Sequence, residues 1–267
     1  VKMAQGKSVL VKTSMEDNFC LTPKQLEEAI TPQTKLLMLC SPNNPTGSVY
    51  TLDNLKALVE VLKHHPQVNV LADEIYQHIV YTGKHETLAQ FAEIEDRLIV
   101  INGVSKAYAM TGYRIGWMAC HDKQLVTAVK RLQGQMITCA TTIAQKAAEA
   151  AYQGPQDCVE EMRVIFQQRR DIIVKKAKDI PGMKVLEPQG AFYLFPDVSA
   201  FFGKQYQGGT INNAEDLVTY LLREAHVACV SGSAFGEDNC IRLSYATSES
   251  IIVEAMKRIK EALCKLQ

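Results

Sequence analysis

Four short apolar runs constrain this chain most. They are Leu36-Leu37-Met38-Leu39-Cys40, Val68-Asn69-Val70-Leu71-Ala72, Leu98-Ile99-Val100-Ile101-Asn102 and Ile115-Gly116-Trp117-Met118-Ala119. Each is near-continuously apolar and mostly ends in small or polar residues, which is how strands buried on both faces of a sheet read. Helix signals separate them. Thr22-Pro23 followed by Gln25 supplies an N-cap, a proline at the first helical position and a capping-box partner. Thr51 opens a second helix that runs to about Lys63 and is stopped by His64-His65-Pro66. Strands alternating with helices predict an α/β domain with a mainly parallel sheet.

A strand-like stretch at 8–12 precedes these elements. A long helical stretch over 123–152 follows them and breaks at Gly154-Pro155. A second, over 159–180, stops at Pro181-Gly182 and bridges to a smaller α+β domain. That domain is expected to hold strands at 184–186, 191–195, 227–230 and 240–243, and helices near 214–225 and 249–266. In the last helix Ile252, Ala255, Ile259, Ala262, Leu263 and Leu266 form one apolar stripe. The polar, glycine-containing segment 203–213 reads as a loop. The expected division is a large domain over 1–155, and the bridging helix with a small carboxyl-terminal domain over 156–267.

Lys and Arg number 29, as do Asp and Glu, so the formal net charge is zero. This gives no reason to expect nucleic acid or an anionic membrane as a partner. No apolar run reaches membrane-spanning length and no signal peptide is visible. The eight cysteines are scattered without a Cys-x-x-Cys pair, and several, such as Cys40 and Cys229, sit among apolar residues. Buried free thiols in a reducing cytoplasm are expected. The six histidines have no metal-ligand spacing and read as surface or packing residues, so no metal is expected.

The segment Ser105-Lys106-Ala107-Tyr108-Ala109-Met110-Thr111-Gly112-Tyr113-Arg114 places one lysine just after a strand, with a hydroxyl before it and an arginine eight residues on. A lysine that forms a Schiff base with an aldehyde cofactor needs such a setting. Its amine, with a free pKa of about 10.4, must lose a proton in a dry pocket. The serine, backbone N–H groups and arginine can hold a phosphate. Asn44 follows the first strand, Asp73 ends the second, and Ser105 and Lys106 follow the third. In open α/β sheets ligands bind beyond those carboxyl ends. Each residue also has a plain reading: a solvated lysine, a helix-capping Asp73, a core Tyr76, a turn Asn44, and ion pairs for Arg114 and Arg242.

With three further segments, this stretch resembles the class I/II aminotransferases, pyridoxal-phosphate (PLP) enzymes of fold type I. Ser41-Pro42-Asn43-Asn44-Pro45-Thr46-Gly47 matches the family's asparagine-proline turn, Ala72-Asp73-Glu74-Ile75-Tyr76 its pyridine-binding strand end, and Asn239-Cys240-Ile241-Arg242-Leu243-Ser244 its substrate-carboxylate arginine. The resemblance implies PLP as cofactor. Lys106 is then the Schiff-base lysine and proton shuttle, and Asp73 the partner of the pyridine nitrogen. Tyr76 and Asn44 bond the cofactor's phenolic oxygen, and Ser105 and Arg114 bind its phosphate. Arg242, with Asn44, takes the substrate α-carboxylate. A cis Asn44–Pro45 bond and a substrate-side loop at Gly190 are also implied, with Phe192 and Tyr193 readable as plain core.

The motifs most resemble bacterial aspartate aminotransferases, so aspartate and 2-oxoglutarate are the expected substrates and a homodimer the expected assembly. Aromatic amino-acid transamination, carbon–sulfur β-lysis, and a ligand-sensing domain of a transcription regulator stay open. Against the family pattern an N-terminal part is lacking, with a phosphate loop and a ring that stacks on the pyridine, so the chain is expected to be a fragment.

Overall fold

The computed structural model describes residues 1–267. The chain divides into two compact units. One comprises Cys20–Pro42 and Val49–Arg163; the other comprises Val1–Phe19, Asn43–Ser48 and Val164–Gln267.

The first unit is built on a four-stranded sheet. Its elements in chain order are α1 (Pro23–Ala29), β1 (Leu36–Cys40), α2 (Leu52–Lys63), β2 (Asn69–Asp73), β3 (Leu98–Gly103), β4 (Gly116–Cys120), α3 (Lys123–Met136) and α4 (Thr142–Gln153). The sheet order is β1-β2-β3-β4. The first three strands are parallel and β4 is antiparallel to β3, so the sheet is mainly parallel as the alternation predicts. The expected capping box at Thr22 forms with Gln25, and Thr51 makes a second one with Asn54. At the end of α2, Arg97 donates to the carbonyls of Leu62 (2.7 Å) and His65 (3.0 Å), satisfying backbone acceptors that a helix end leaves unpaired.

One face of the sheet packs a core. Leu37, Val70 and Leu98 lie in one row and Leu39, Ala72 and Val100 in the next, against Leu26, Leu55, Leu58, Val59 and Leu62 of α1 and α2. The other face corrects the expectation of strands buried on both sides. Leu36 and Met38 of β1 are exposed, and only β3 is buried nearly throughout. Both α1 and α2 serve the same face. Helix α3 buries none of its residues. The expected continuous helix over 123–152 is two helices. The β-branched Ile137, Thr138 and Thr141 lie at the break, Thr138 takes φ 70°, and Thr141 caps α4 by accepting the Ala144 N–H.

Helix α5 (Asp157–Lys178) has residues in both units. The second unit continues with β5 (Tyr193–Leu194), β6 (Gln205–Tyr206), β7 (Gly209–Thr210), α6 (Ala214–Tyr220), β8 (Val230–Ser231), β9 (Ile241–Ser244) and α7 (Glu249–Leu263). Its sheet order is β5-β9-β8, all antiparallel. Leu194, Ile241, Leu243 and Tyr245 form its core with Leu217, Leu221, Ile252, Met256 and Ile259. The α7 stripe agrees with the predicted one, Met256 joining it.

Several short strands differ from expectation, each for a local reason. The stretch 8–12 is exposed and pairs with no strand. At 184–186 only Lys184 pairs, with Asp197, because the chain then turns so that Gln189 and Gly190 can bond Gly47. Ala191, at φ 55°, delays β5 to Tyr193. Val227 closes the preceding helix by donating to Leu221, so β8 starts only at Val230. The segment 203–213, read as a loop, contains the β6–β7 hairpin. All eight cysteines are free; Cys40 and Cys229 are half-buried, while Cys20 and Cys240 are the buried ones.

Candidate active site

The parallel register puts Cys40 and Asp73, the last residues of β1 and β2, beside Ile101 of β3. Past those ends Ser41 donates to the Asp73 carbonyl (3.1 Å) and Glu74 to that of Ile101 (2.9 Å). The half-buried Asp73 carboxylate accepts the Ile75 N–H at 3.1 Å. This opens the turn that carries Tyr76, which is buried. Beyond β3 the chain turns at once through Ser105 and Lys106, both half-buried between the buried Val104 and Ala107. The Lys106 amine lies 5.6 Å from the centroid of the Tyr76 ring. The sheet unit therefore brings Asp73, Tyr76, Ser105 and Lys106 to the same strand ends.

Arg114 is displayed differently. It is exposed, with φ 54°, and donates from Nη1 to the carbonyl of Thr111 in its own turn, at 2.9 Å. Two features here escaped the sequence reading. Asn102 is buried at the end of β3; its Oδ1 accepts the Gly103 N–H (2.7 Å), while its Nδ2 has no hydrogen-bond partner. Next to Asp73, Glu74 is also buried, accepts a 2.7 Å bond from Thr87 Oγ1 and lies 3.3 Å from His85 Nε2. His85 is thus the partner of a buried carboxylate rather than a surface residue.

The second unit holds the other candidates. Arg242 lies on β9, the central strand of its sheet, between the buried Ile241 and Leu243. Its Nη1 donates to Asn44 Oδ1 at 2.9 Å. Its Cζ lies 4.7 Å from the Tyr193 ring centroid and 5.0 Å from that of Phe235. No Asp or Glu pairs with it. Tyr193, readable as plain core, touches Arg242 directly, and the sequence reading missed Phe235 altogether. The only signal for Phe235 was its place in the glycine-bounded Gly232-Ser233-Ala234-Phe235-Gly236.

Asn44 is held by its turn. Asn43 Oδ1 accepts from the Thr46 N–H and hydroxyl, and the Gly47 N–H donates to the Asn43 carbonyl. Both Ser41–Pro42 and Asn44–Pro45 are cis, the second as the resemblance implies. The Gly47 carbonyl accepts the N–H groups of Gln189 (2.9 Å) and Gly190 (2.8 Å), which docks the loop at Gly190 onto the turn. Buried Arg170 fixes that loop, donating to the Pro188 carbonyl (2.9 Å) and pairing with Glu187 (3.1 Å) and Asp171 (2.6 Å).

Known proteins resemble this chain in sequence and fold. The sequence model of the aminotransferase class I and II family matches residues 1–259. A bifunctional aspartate aminotransferase and glutamate/aspartate-prephenate aminotransferase from Petunia hybrida is 44% identical over all of this chain and 56% of its own length. The crystal structure of aspartate aminotransferase from Rhizobium meliloti superposes with a TM-score of 0.94 at 42% identity, covering 99% of this chain and 67% of that one. The aromatic aminotransferase from Pyrococcus horikoshii gives 0.88 at 34% identity, covering 96% and 67%. The chain thus spans a little over half to two thirds of the length of such relatives. The family is PLP-dependent, and a strand-end carboxylate, a phenol, a hydroxyl and an amine at one sheet edge are the donor set that a pyridine nitrogen, a phenolic oxygen, a phosphate and an aldehyde require. On its sequence, its fold and this donor set, the chain belongs to the class I and II aminotransferases, PLP-dependent proteins of fold type I.

Proposed function

We propose that this chain forms the cofactor- and carboxylate-binding part of an aminotransferase that moves the α-amino group of aspartate to 2-oxoglutarate. The observation that carries this is Arg242: a half-buried guanidinium with no acidic partner, flanked by two rings and bonded to Asn44. A half-buried arginine without an anion of its own favours a ligand that brings one, and its fork suits a carboxylate. Both an amino acid and a 2-oxo acid carry that group. Relatives named as aspartate aminotransferases support aspartate as donor.

Lys106 would bind the cofactor aldehyde and take the proton from the substrate Cα. Asp73 would keep the pyridine nitrogen protonated, Tyr76 and Asn44 would bond the phenolic oxygen, and Ser105 with Arg114 would hold the phosphate. PLP, when bound, supplies the electron sink that makes the Cα proton acidic. In this reading residues 1–155 form the large cofactor-binding domain and 156–267 the bridging helix and small carboxyl-terminal domain. The bare apolar residues of α3 support a homodimer as the working assembly, and eight free thiols support a reducing, cytoplasmic setting.

The test is a visible absorption titration with PLP, followed by aspartate and 2-oxoglutarate. The expected result is a lysine-bound PLP band, absent in Lys106→Ala, that aspartate converts to the pyridoxamine form and 2-oxoglutarate restores. Pyruvate and ammonia released from a cysteine conjugate, with no response to aspartate, would overturn the proposal in favour of β-lysis.

A further inference from the structure

The two rings beside Arg242 come from opposite flanks of its strand. In the order β5-β9-β8, Tyr193 belongs to β5 on one side and Phe235 follows β8 on the other. We propose that Tyr193 and Phe235 are positioning residues for the carboxylate site, a clamp that holds the Arg242 guanidinium ready for its ligand. This rests on the reading of Arg242 as the substrate-carboxylate arginine.

An arginine side chain has many rotamers, and an acidic neighbour usually fixes it at the expense of its fork. Arg242 has no such neighbour. Two aromatic faces at 4.7 and 5.0 Å attract the cation without taking any of its N–H donors. Asn44 takes one donor at Nη1. The clamp therefore immobilises the charge while leaving donors for two carboxylate oxygens.

Phe235 is itself built in. The Gly232 N–H donates to the Cys240 carbonyl (2.8 Å), and the Glu237 N–H donates to the Gly232 carbonyl (3.0 Å). A Cβ on Gly232 would lie 2.1 Å from the Glu237 carbonyl oxygen and 2.5 Å from that of Cys240, so the loop closes only around glycine. Gly236 takes φ 82° and turns the chain directly after the ring. Phe195 meets Phe235 edge-on at 6.1 Å, and Phe19 meets Phe195 at 5.8 Å. A ring packed by ring edges and a closed loop is a fixed wall for the guanidinium.

The experiment uses the PLP-loaded enzyme and two readouts. Phe235→Leu is expected to raise KM for aspartate and for 2-oxoglutarate together by roughly tenfold, with kcat falling much less, as loss of one cation–π contact and its ordering predicts. Calorimetric titration with succinate, a dicarboxylate that cannot react, should weaken to the same degree, and Phe235→Tyr should restore both. Placing 3,4,5-trifluorophenylalanine at position 235 keeps the shape and removes the negative ring face. It should weaken succinate binding as Leu does, and it stands as the test if Phe235→Leu does not fold. Unchanged succinate affinity in the fluorinated protein would overturn the clamp. If Arg242→Ala also binds succinate normally, the reading of Arg242 fails with it; if only Arg242→Ala loses binding, the clamp alone is wrong.

Discussion

A Cβ built on Gly47 would lie 2.4 Å from the Cβ of Pro188 and 2.9 Å from the Gly190 carbonyl oxygen. Gly47 also takes φ 71°, a conformation that side chains disfavour. Both facts apply at the one residue whose carbonyl docks the 188–190 loop on the turn that carries Asn44. Gly47→Ala should therefore destabilise the protein by about 2–4 kcal/mol. Because Asn44 shares this turn, succinate binding should weaken in the molecules that stay folded. Denaturant unfolding and calorimetry check the two parts; a variant of native stability would show that the loop yields freely.

Arg242→Lys should raise KM for both substrates by about tenfold to a hundredfold, since an ammonium is a point charge and cannot bond both oxygens in a fixed fork. The lysine-bound PLP band should stay unchanged, because Lys106 and Asp73 belong to the other unit. Steady-state kinetics with each substrate and one absorption spectrum decide this. Equal KM values would remove Arg242 from the carboxylate site.

The sheet was legible because its strands are apolar runs of the right length between well-capped helices. Thr22, Thr51 and the ends at Cys40, Asp73 and Asn102 could all be placed from local chemistry. What failed were pairings that local pattern does not contain. Residues 8–12 form a short apolar, strand-like run but meet no ladder, and 184–186 surrender theirs to the Gly47 turn. Lys106, Asp73 and Arg242 stood out because their neighbours form motifs. Phe235 and His85 did not, because their partners, Arg242 and Glu74, lie seven and eleven residues away with no periodicity connecting them.

The buried Glu74 and the half-buried His85 should be energetically coupled. Glu74 is also bonded by Thr87, so removing the histidine leaves a buried carboxylate with one fewer compensating group. His85→Ala is expected to cost about 1–3 kcal/mol, as leaving a buried polar group with one fewer polar neighbour does. Glu74→Ala with His85→Ala should cost less than the sum of the single changes, by about 0.5–3 kcal/mol. A double-mutant cycle by urea unfolding measures this, and additive losses would mean that the two side chains pack without interacting.

The cysteines should separate by environment when challenged with an alkylating reagent. Burial pushes the Cys229 thiol up to about 12. Burial does the same for Cys240, with the carboxylates of Glu237 and Asp197 adding to it, again to about 12. The thiolate is the nucleophile, so at pH 8 a thiol of pKa 12 is reactive in only about one molecule in ten thousand. Cys139, Cys158 and Cys264 are exposed and open to the reagent. Iodoacetamide at pH 8, followed by peptide mass spectrometry, should modify those three and spare Cys229 and Cys240. Denaturation should make all eight reactive. Raising the pH of the folded protein from 7 to 9 should leave Cys229 and Cys240 protected, because the whole range lies below their raised pKa. Rapid labelling of Cys240 in the folded protein would mean that the Gly232–Cys240 loop opens, and the wall behind Arg242 would then be mobile.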